Sequence, residues 1–209
     1  MSPRPYKMGK RQAARTETRG RILEAARQLL AAEPSSDLSL EAIAQRADVS
    51  RLTIYYQFSS RAGLLEALYD HLAQRGHMEQ MADVFQASDP MSAIEKLVHT
   101  FVGFWATDPR VMRRLRGIAA LDPEVAQGIR SRDARRPRIA LEILKRAPSM
   151  ARGKRGEVDQ RAAAEVLGML TGFETYDALA RAGQTKAQIE ATLTRLARCA
   201  IGEVSGDPK

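Results

Sequence analysis

The chain has 209 residues, 44% apolar and 5% aromatic, with a formal net charge of +8, which allows one large or two small domains with a real core. Its apolar runs are short and broken by charge, so no bilayer span is expected, and the basic N-terminus lacks the apolar stretch of a secretory signal. A single cysteine, Cys199, excludes an intrachain disulfide, fits a reducing cytoplasm and is expected to pack in a helix interface.

The positive charge points to a polyanionic partner, and its position matters more than its total. Up to Arg21 there are seven cations against Glu17 alone, net +6, which suits an arm feeding a DNA-binding unit. A second concentration, within 110–155 and including Arg113, Arg114, Arg116, Arg132 and Arg136, reads first as a solvated helix face.

Residues 1–14, with Pro3, Pro5 and Gly9 among cations, are expected to be a disordered arm. A first helix over about 16–32 places Ile22, Ala25, Ala26, Leu29 and Leu30 on one stripe, and Glu33-Pro34-Ser35-Ser36-Asp37 ends it. Ser39 can cap a short second helix to about Ala47. Asp48-Val49-Ser50 makes a turn, and a third helix runs to about Phe58. Ser59-Ser60 caps a long fourth helix carrying Leu64, Leu65, Leu68, Tyr69 and Leu72. Three Asp-Pro pairs, at Pro90, Pro109 and Pro123, put a preferred cap before a proline suited to the first helical position. They predict helices over about 90–106, 109–120 and 123–146, the last broken near Arg136 by Pro137. A mobile loop is expected over 149–157, then helices over about 157–182 and 185–202. The sum is an all-α chain of about nine helices: the arm 1–14, a helix-turn-helix domain 15–60, and a larger bundle 61–209.

Two short helices joined by a three-residue turn behind a longer one form the helix-turn-helix pattern. Ile43, Ala44, Val49, Ile54 and Phe58 are placed to hold the pair together. That leaves Arg51, Leu52, Thr53, Tyr55, Tyr56 and Gln57 wholly or partly outward, a set able to bond phosphates and base edges and to touch thymine methyls. The competing reading is an ordinary solvated helical corner; the basic arm beside it weighs against that.

These residues also carry a resemblance. Thr18-Arg19 with Ile22-Leu23-Glu24-Ala25-Ala26, then Leu40-Glu41-Ala42-Ile43-Ala44, then the run from Ala47 to Phe58, then Ser60-Arg61-Ala62-Gly63-Leu64-Leu65 resemble, in order, the N-terminal domain of TetR-family regulators over about residues 16–70. The resemblance implies a homodimeric bacterial regulator, usually a repressor, acting in the cytoplasm on the nucleoid. It implies a third helix in the major groove, first and fourth helices on the phosphates, and a divergent C-terminal domain for an unidentified small-molecule effector and for dimerisation. By position, Arg15, Thr18, Arg19, Ser39, Ser50, Arg51, Leu52, Thr53, Tyr55, Tyr56, Gln57 and Arg61 would contact double-stranded operator DNA. Asp48 stands where the family usually has a turn glycine and can tolerate the left-handed conformation. Leu52 replaces a common glycine and puts bulk on the groove side.

In the second half, Phe101, Phe104, Trp105, Leu115, Ile143, Phe173 and Tyr176 could line an apolar effector pocket, although a packed core accounts for any one of them. An arginine of 110–138 could receive an acidic ligand group. The last two helices, through Leu167, Leu170, Ile189, Leu193 and Leu196, are expected to form the dimer interface, with Gly168 and Gly172 allowing close contact. The fourth helix is read as the lever, on the ground that it alone joins both domains. His71, His77 and His99 lie in no metal-ligand or triad motif and no phosphate loop is present, so no catalytic, metal or cofactor site and no membrane partner are expected. An activator of the same fold, or a non-specific architectural DNA binder, is the alternative.

Overall fold

The computed structural model describes residues 5–32, 38–146, 152–153, 156–157 and 160–202. Its helices are α1 (Pro5–Ala31), α2 (Leu40–Ala47), α3 (Arg51–Phe58), α4 (Arg61–Arg75), α5 (Met81–Gln86), α6 (Pro90–Thr107), α7 (Pro109–Ala119), α8 (Pro123–Asp133), α9 (Arg135–Lys145), α10 (Gln160–Leu170), α11 (Phe173–Arg181) and α12 (Lys186–Ala200). The chain is all-α apart from a two-residue antiparallel ladder, Arg152 with Glu157 and Gly153 with Gly156, inside the segment read as a mobile loop. The predicted loop residues 33–37, and 158–159 at the start of the helix expected from about 157, lie outside the described residues.

Caps and prolines set most boundaries. Ser39, Ser50 and Ser60 each accept the backbone N–H three residues on, satisfying donors that a helix start leaves open. The three Asp-Pro pairs open α6, α7 and α8. Among the described residues twelve α-helices stand where about nine were expected, for three reasons. The short α5 has too few residues to show a period. The 123–146 helix divides at Ala134 rather than Arg136, because Pro137 cannot donate to the carbonyl four residues back, that of Asp133 at the end of α8. The 157–182 helix divides at Thr171–Gly172, where Gly172 caps α11.

At the N-terminus, α1 begins at Pro5, so residues 5–14 are helical and not the disordered arm expected. Proline suits a first helical position, and the Lys, Arg, Gln and Ala that follow are good helix formers.

The buried helix α6 is the spine of the bundle, with Ile94, Leu97, Val98, Phe101, Phe104 and Trp105 all in the core. Around Trp105 the rings of Phe104, Phe173 and Phe101 lie 4.3, 5.4 and 6.1 Å away, and the Trp105 Nε1–H donates to the Thr171 carbonyl at 3.0 Å.

Beside this bundle, α1 to α3 form the N-terminal head. It meets the rest through more than α4, which corrects the expectation that α4 alone joins the two parts. Arg114 of α7 donates to the carbonyls of Leu29 and Ala32 at 3.1 Å, closing the end of α1. Arg27 of α1 pairs with Asp108 at 3.1 Å, whereas the Arg61–Asp122 pair at 3.0 Å ties α4 itself to the start of α8.

Candidate nucleic-acid interface

The turn between α2 and α3 is made by Asp48 at φ 53°, ψ 54°. Its amide donates back to the end of α2, so aspartate fills the left-handed position usually left to glycine. Ile43, Ala44, Ala47, Ile54 and Phe58 are buried between the helices, with Val49 packed against them. After α3, Ser59 takes φ 65° and Gly63 lies against the end of that helix: a Cβ there would sit 2.3 Å from the Phe58 carbonyl oxygen. Only glycine lets α4 leave so tightly.

With Ile54 and Phe58 inward, helical spacing turns Arg51, Leu52, Tyr55 and Tyr56 outward together. All four are exposed, Leu52 at 59% and Tyr56 at 75%. Two tyrosines and a leucine on one small open face beside cations are not explained by the core. Ser50 and Thr53 share a hydroxyl contact of 2.9 Å at the start of α3. Arg51 lies 3.6 Å from Glu41, an exposed pair that separates at little cost.

Several predicted DNA contacts have other work in the structure. Arg19 donates to the Gln57 carbonyl at 2.8 Å and stacks 4.3 Å above the Phe58 ring, while Gln57 donates to the Arg15 carbonyl at 3.3 Å. Arg19 and Gln57 therefore brace α3 on α1, and the guanidinium of Arg19 is turned inward. Thr18 donates within its own helix, to Ala14. Arg61 turns to Asp122, the residue that caps α8. The long-range partners of Arg19, Gln57 and Arg61 are invisible to local pattern. Arg15 is exposed, and Ser39, half-buried, caps α2.

Behind α3, Glu24 receives the Arg27 side chain at 2.7 Å, with Gln28 at 3.1 Å and Arg75 at 3.8 Å. The Arg27 hydrogen bond, opposed by burial and helped by Gln28 and the nearby cations, holds the Glu24 carboxyl down at about 2.

In the bundle, the seven candidate pocket residues are all buried. Four of the five aromatics, Phe101, Phe104, Trp105 and Phe173, pack ring on ring, and beside Leu115 and Tyr69 there is a cavity of about 10 Å³, room for about one water molecule. The arginines of 110–138 are only partly a solvated face. Arg116 reaches Asp133 through both terminal nitrogens, at 3.1 and 2.9 Å, and Glu174 at 2.6 Å. Arg136 reaches the same Asp133 at 2.7 Å, and Arg132 reaches Asp70 of α4 at 2.8 Å. Burial works against the Arg116 charge, but Asp133 and Glu174 outweigh it and raise its pKa above the usual value. Burial pushes the Tyr69 phenol up to about 12, so it stays neutral.

The dimer residues need correction. Leu167, Leu170, Ile189 and Leu193 are buried within this chain; their spacing marked the inward faces of α10 and α12. Gly168 meets Pro137 of α9, where a Cβ would come within 2.9 Å of the proline ring, so it serves packing inside the chain. The outward faces carry Val166, Met169 at 62% exposed and Leu196 at 44%, and Cys199 is exposed beside them. Among the described residues no helix is long and apolar enough to cross a membrane, and no group of three His, Cys, Asp or Glu could hold a metal.

A three-helix head with an open recognition face, seated on a helical bundle, defines a helix-turn-helix protein with a companion domain. Residues 22–68 match the model of the bacterial regulatory proteins of the tetR family. The chain is 33% identical over 112 residues to the HTH-type transcriptional regulator AlkX of Mycobacterium tuberculosis, covering 52% of each. It is 31% identical over 98 residues to the HTH-type transcriptional regulator TtgR of Pseudomonas putida, covering 46% of this chain and 47% of that one. It thus spans about half the length of the curated relatives it matches. The fold is also that of NalD from Pseudomonas aeruginosa, with a TM-score of 0.69 at 20% identity, over 92% of this chain and 100% of that one. The head is thus similar to that of the bacterial regulatory proteins of the tetR family, and the whole chain shares its fold with NalD.

Proposed function

We propose that this protein is a sequence-specific regulator of transcription, a homodimeric and ligand-responsive repressor that binds a pseudo-palindromic operator in the cytoplasm. The observation that carries this reading is the outward face of α3. Arg51, Leu52, Tyr55 and Tyr56 stand exposed together on a helix whose other side is locked into the head. Laid in the major groove, that face offers a guanidinium for phosphate or guanine, phenols for phosphates, and Leu52 for a thymine methyl. Repression rests on likeness: NalD is described as the secondary repressor of a multidrug efflux pump.

A dimer places two such helices in successive major grooves about 34 Å apart, which makes the operator two-fold symmetric. The exposed faces of α10 and α12, with Val166, Met169 and Leu196, are the surface we assign to it. An effector bound in the bundle shifts operator affinity only if it binds the two conformations unequally. The contacts of Arg114 and Arg27 across the head–bundle boundary, with the Arg61–Asp122 pair that ties α4 to α8, are the route such a shift takes.

The test is selection of bound sequences from random DNA with the purified protein. A two-fold-symmetric motif is expected. A flat result would favour an architectural DNA binder, and a non-symmetric motif would remove the dimer.

A further inference from the structure

Arg116 and Arg136 approach each other from α7 and α9 and share one carboxylate, Asp133. Their side chains are 16% and 9% exposed, whereas the only other acid on Arg116, Glu174, is 68% exposed. A solvated carboxylate is a weak counter-ion that water can replace at little cost. The interior therefore holds two guanidinium groups against one carboxylate, and the rest of the balance comes from the surface, through Glu174. In addition, the Arg116 Nε is buried with no hydrogen-bond partner, an unmet donor of the kind folded proteins rarely tolerate.

The surroundings are apolar and aromatic. The Arg116 guanidinium lies 5.5 Å from the Phe173 ring and 5.9 Å from Trp105, and Arg136 lies 5.9 Å from Phe101. The cluster also sits where two helix breaks meet. Asp133 and Arg136 flank the break between α8 and α9, and Glu174 is in the first turn of α11, just past the break after α10. Broken helices can part where a continuous one could not, so a ligand can enter past the exposed Glu174.

We propose that this cluster is the effector site and that it takes an organic carboxylate with an apolar or aromatic body. The carboxylate replaces Glu174 on Arg116 and accepts the Nε hydrogen, and the body lies against Trp105 and Phe173. Asp133 is the internal competitor for the same cations. Its neighbour Arg132 holds Asp70 of α4, the helix that leads from the head. The assignment rests on the reading of the bundle as an effector domain.

The chain has one tryptophan, Trp105, so its fluorescence reports on the site. The probes are 4-phenylbutanoate and decanoate, each paired with its neutral amide, titrated into the full-length protein and checked by calorimetry. At least one carboxylate should change the emission saturably and bind at least about tenfold more tightly than its amide, as expected for a charge-assisted contact. Arg116→Gln should abolish that preference, and Arg138→Gln, an exposed arginine of α9, should keep it. Asp133→Asn should bind the carboxylate several-fold more tightly and recover thermal stability when it is added, which a merely structural ion pair would not do. Equal binding of acid and amide, no binding of either, or an unchanged preference in Arg116→Gln would overturn the proposal. Operator affinity is measured separately: carboxylate binding that leaves it unaltered sustains the site and removes the switch.

Discussion

The outer face of α3 and the interior around Trp105 are built from the same residue types, arginine and aromatics, put to opposite use. On α3 the tyrosines and Arg51 stand in water, held out by a head whose core lies on the other side of the helix. Around Trp105 the rings pack tilted and edge-on against one another, and arginines close over them with Asp133 between. The first arrangement leaves its bonding capacity for a partner; the second spends most of it inside the chain. Composition cannot separate the two. What separates them is whether the helix carrying them has an opposite face to bury.

The contrast can be broken first in the interior. Trp105→Ala should lower stability by about 3–5 kcal/mol, the usual range for removing a buried aromatic, read as a lower urea midpoint. A loss under about 1 kcal/mol would mean that the centre of the bundle is looser than its ring contacts suggest. Gly63→Ala should follow, at about 1–3 kcal/mol, because the new methyl meets the Phe58 carbonyl; thermal melting should fall, and operator binding with it as α3 loses its seat.

On the open face the sign pattern reverses. Tyr56→Ala should weaken operator binding by about tenfold to a hundredfold, the scale of one lost base-pair contact, while stability stays within about 0.5 kcal/mol. Leu52→Gly should erase preference at one base pair, and an unaltered binding motif would show that Leu52 does not touch the bases. At the boundary between the two parts, Asp122→Ala removes a helix cap worth about 1 kcal/mol and releases Arg61. A small drop in melting temperature is expected, with a changed response of operator binding to effector.

The smallest effect is acid-dependent. Because Glu24 is held at about 2 in the fold against an ordinary 4.5, its contribution to stability is present above pH 4.5. It is lost as pH falls through the interval toward 2. Glu24→Gln should flatten that part of the stability–pH curve and lower stability at neutral pH; a curve parallel to the wild type would contradict the Arg27 contact.

Much of this was legible beforehand where chemistry is local. Ser39, Ser50, the Asp-Pro pairs and the apolar stripe from Ile22 announced their helices, and Asp48 announced a left-handed turn without glycine. What escaped was long-range. Nothing near Arg19, Arg61 or Arg114 says that one braces Phe58, one pairs with Asp122 and one closes α1. Leu167, Leu170, Ile189 and Leu193 turn inward within the chain for the same reason: leucine spacing shows that a face is apolar, not which neighbour covers it.

The central claim, that α3 reads sequence, is tested most directly by competition. A selected DNA site and a scrambled duplex of equal length are titrated at 50 and 200 mM salt, two conditions across which phosphate binding alone weakens steeply, by about 10³–10⁵ for six to ten contacts. The account predicts a preference for the selected site of about 10³ or more that survives at the higher salt. Equal affinities that fall together with salt would contradict it.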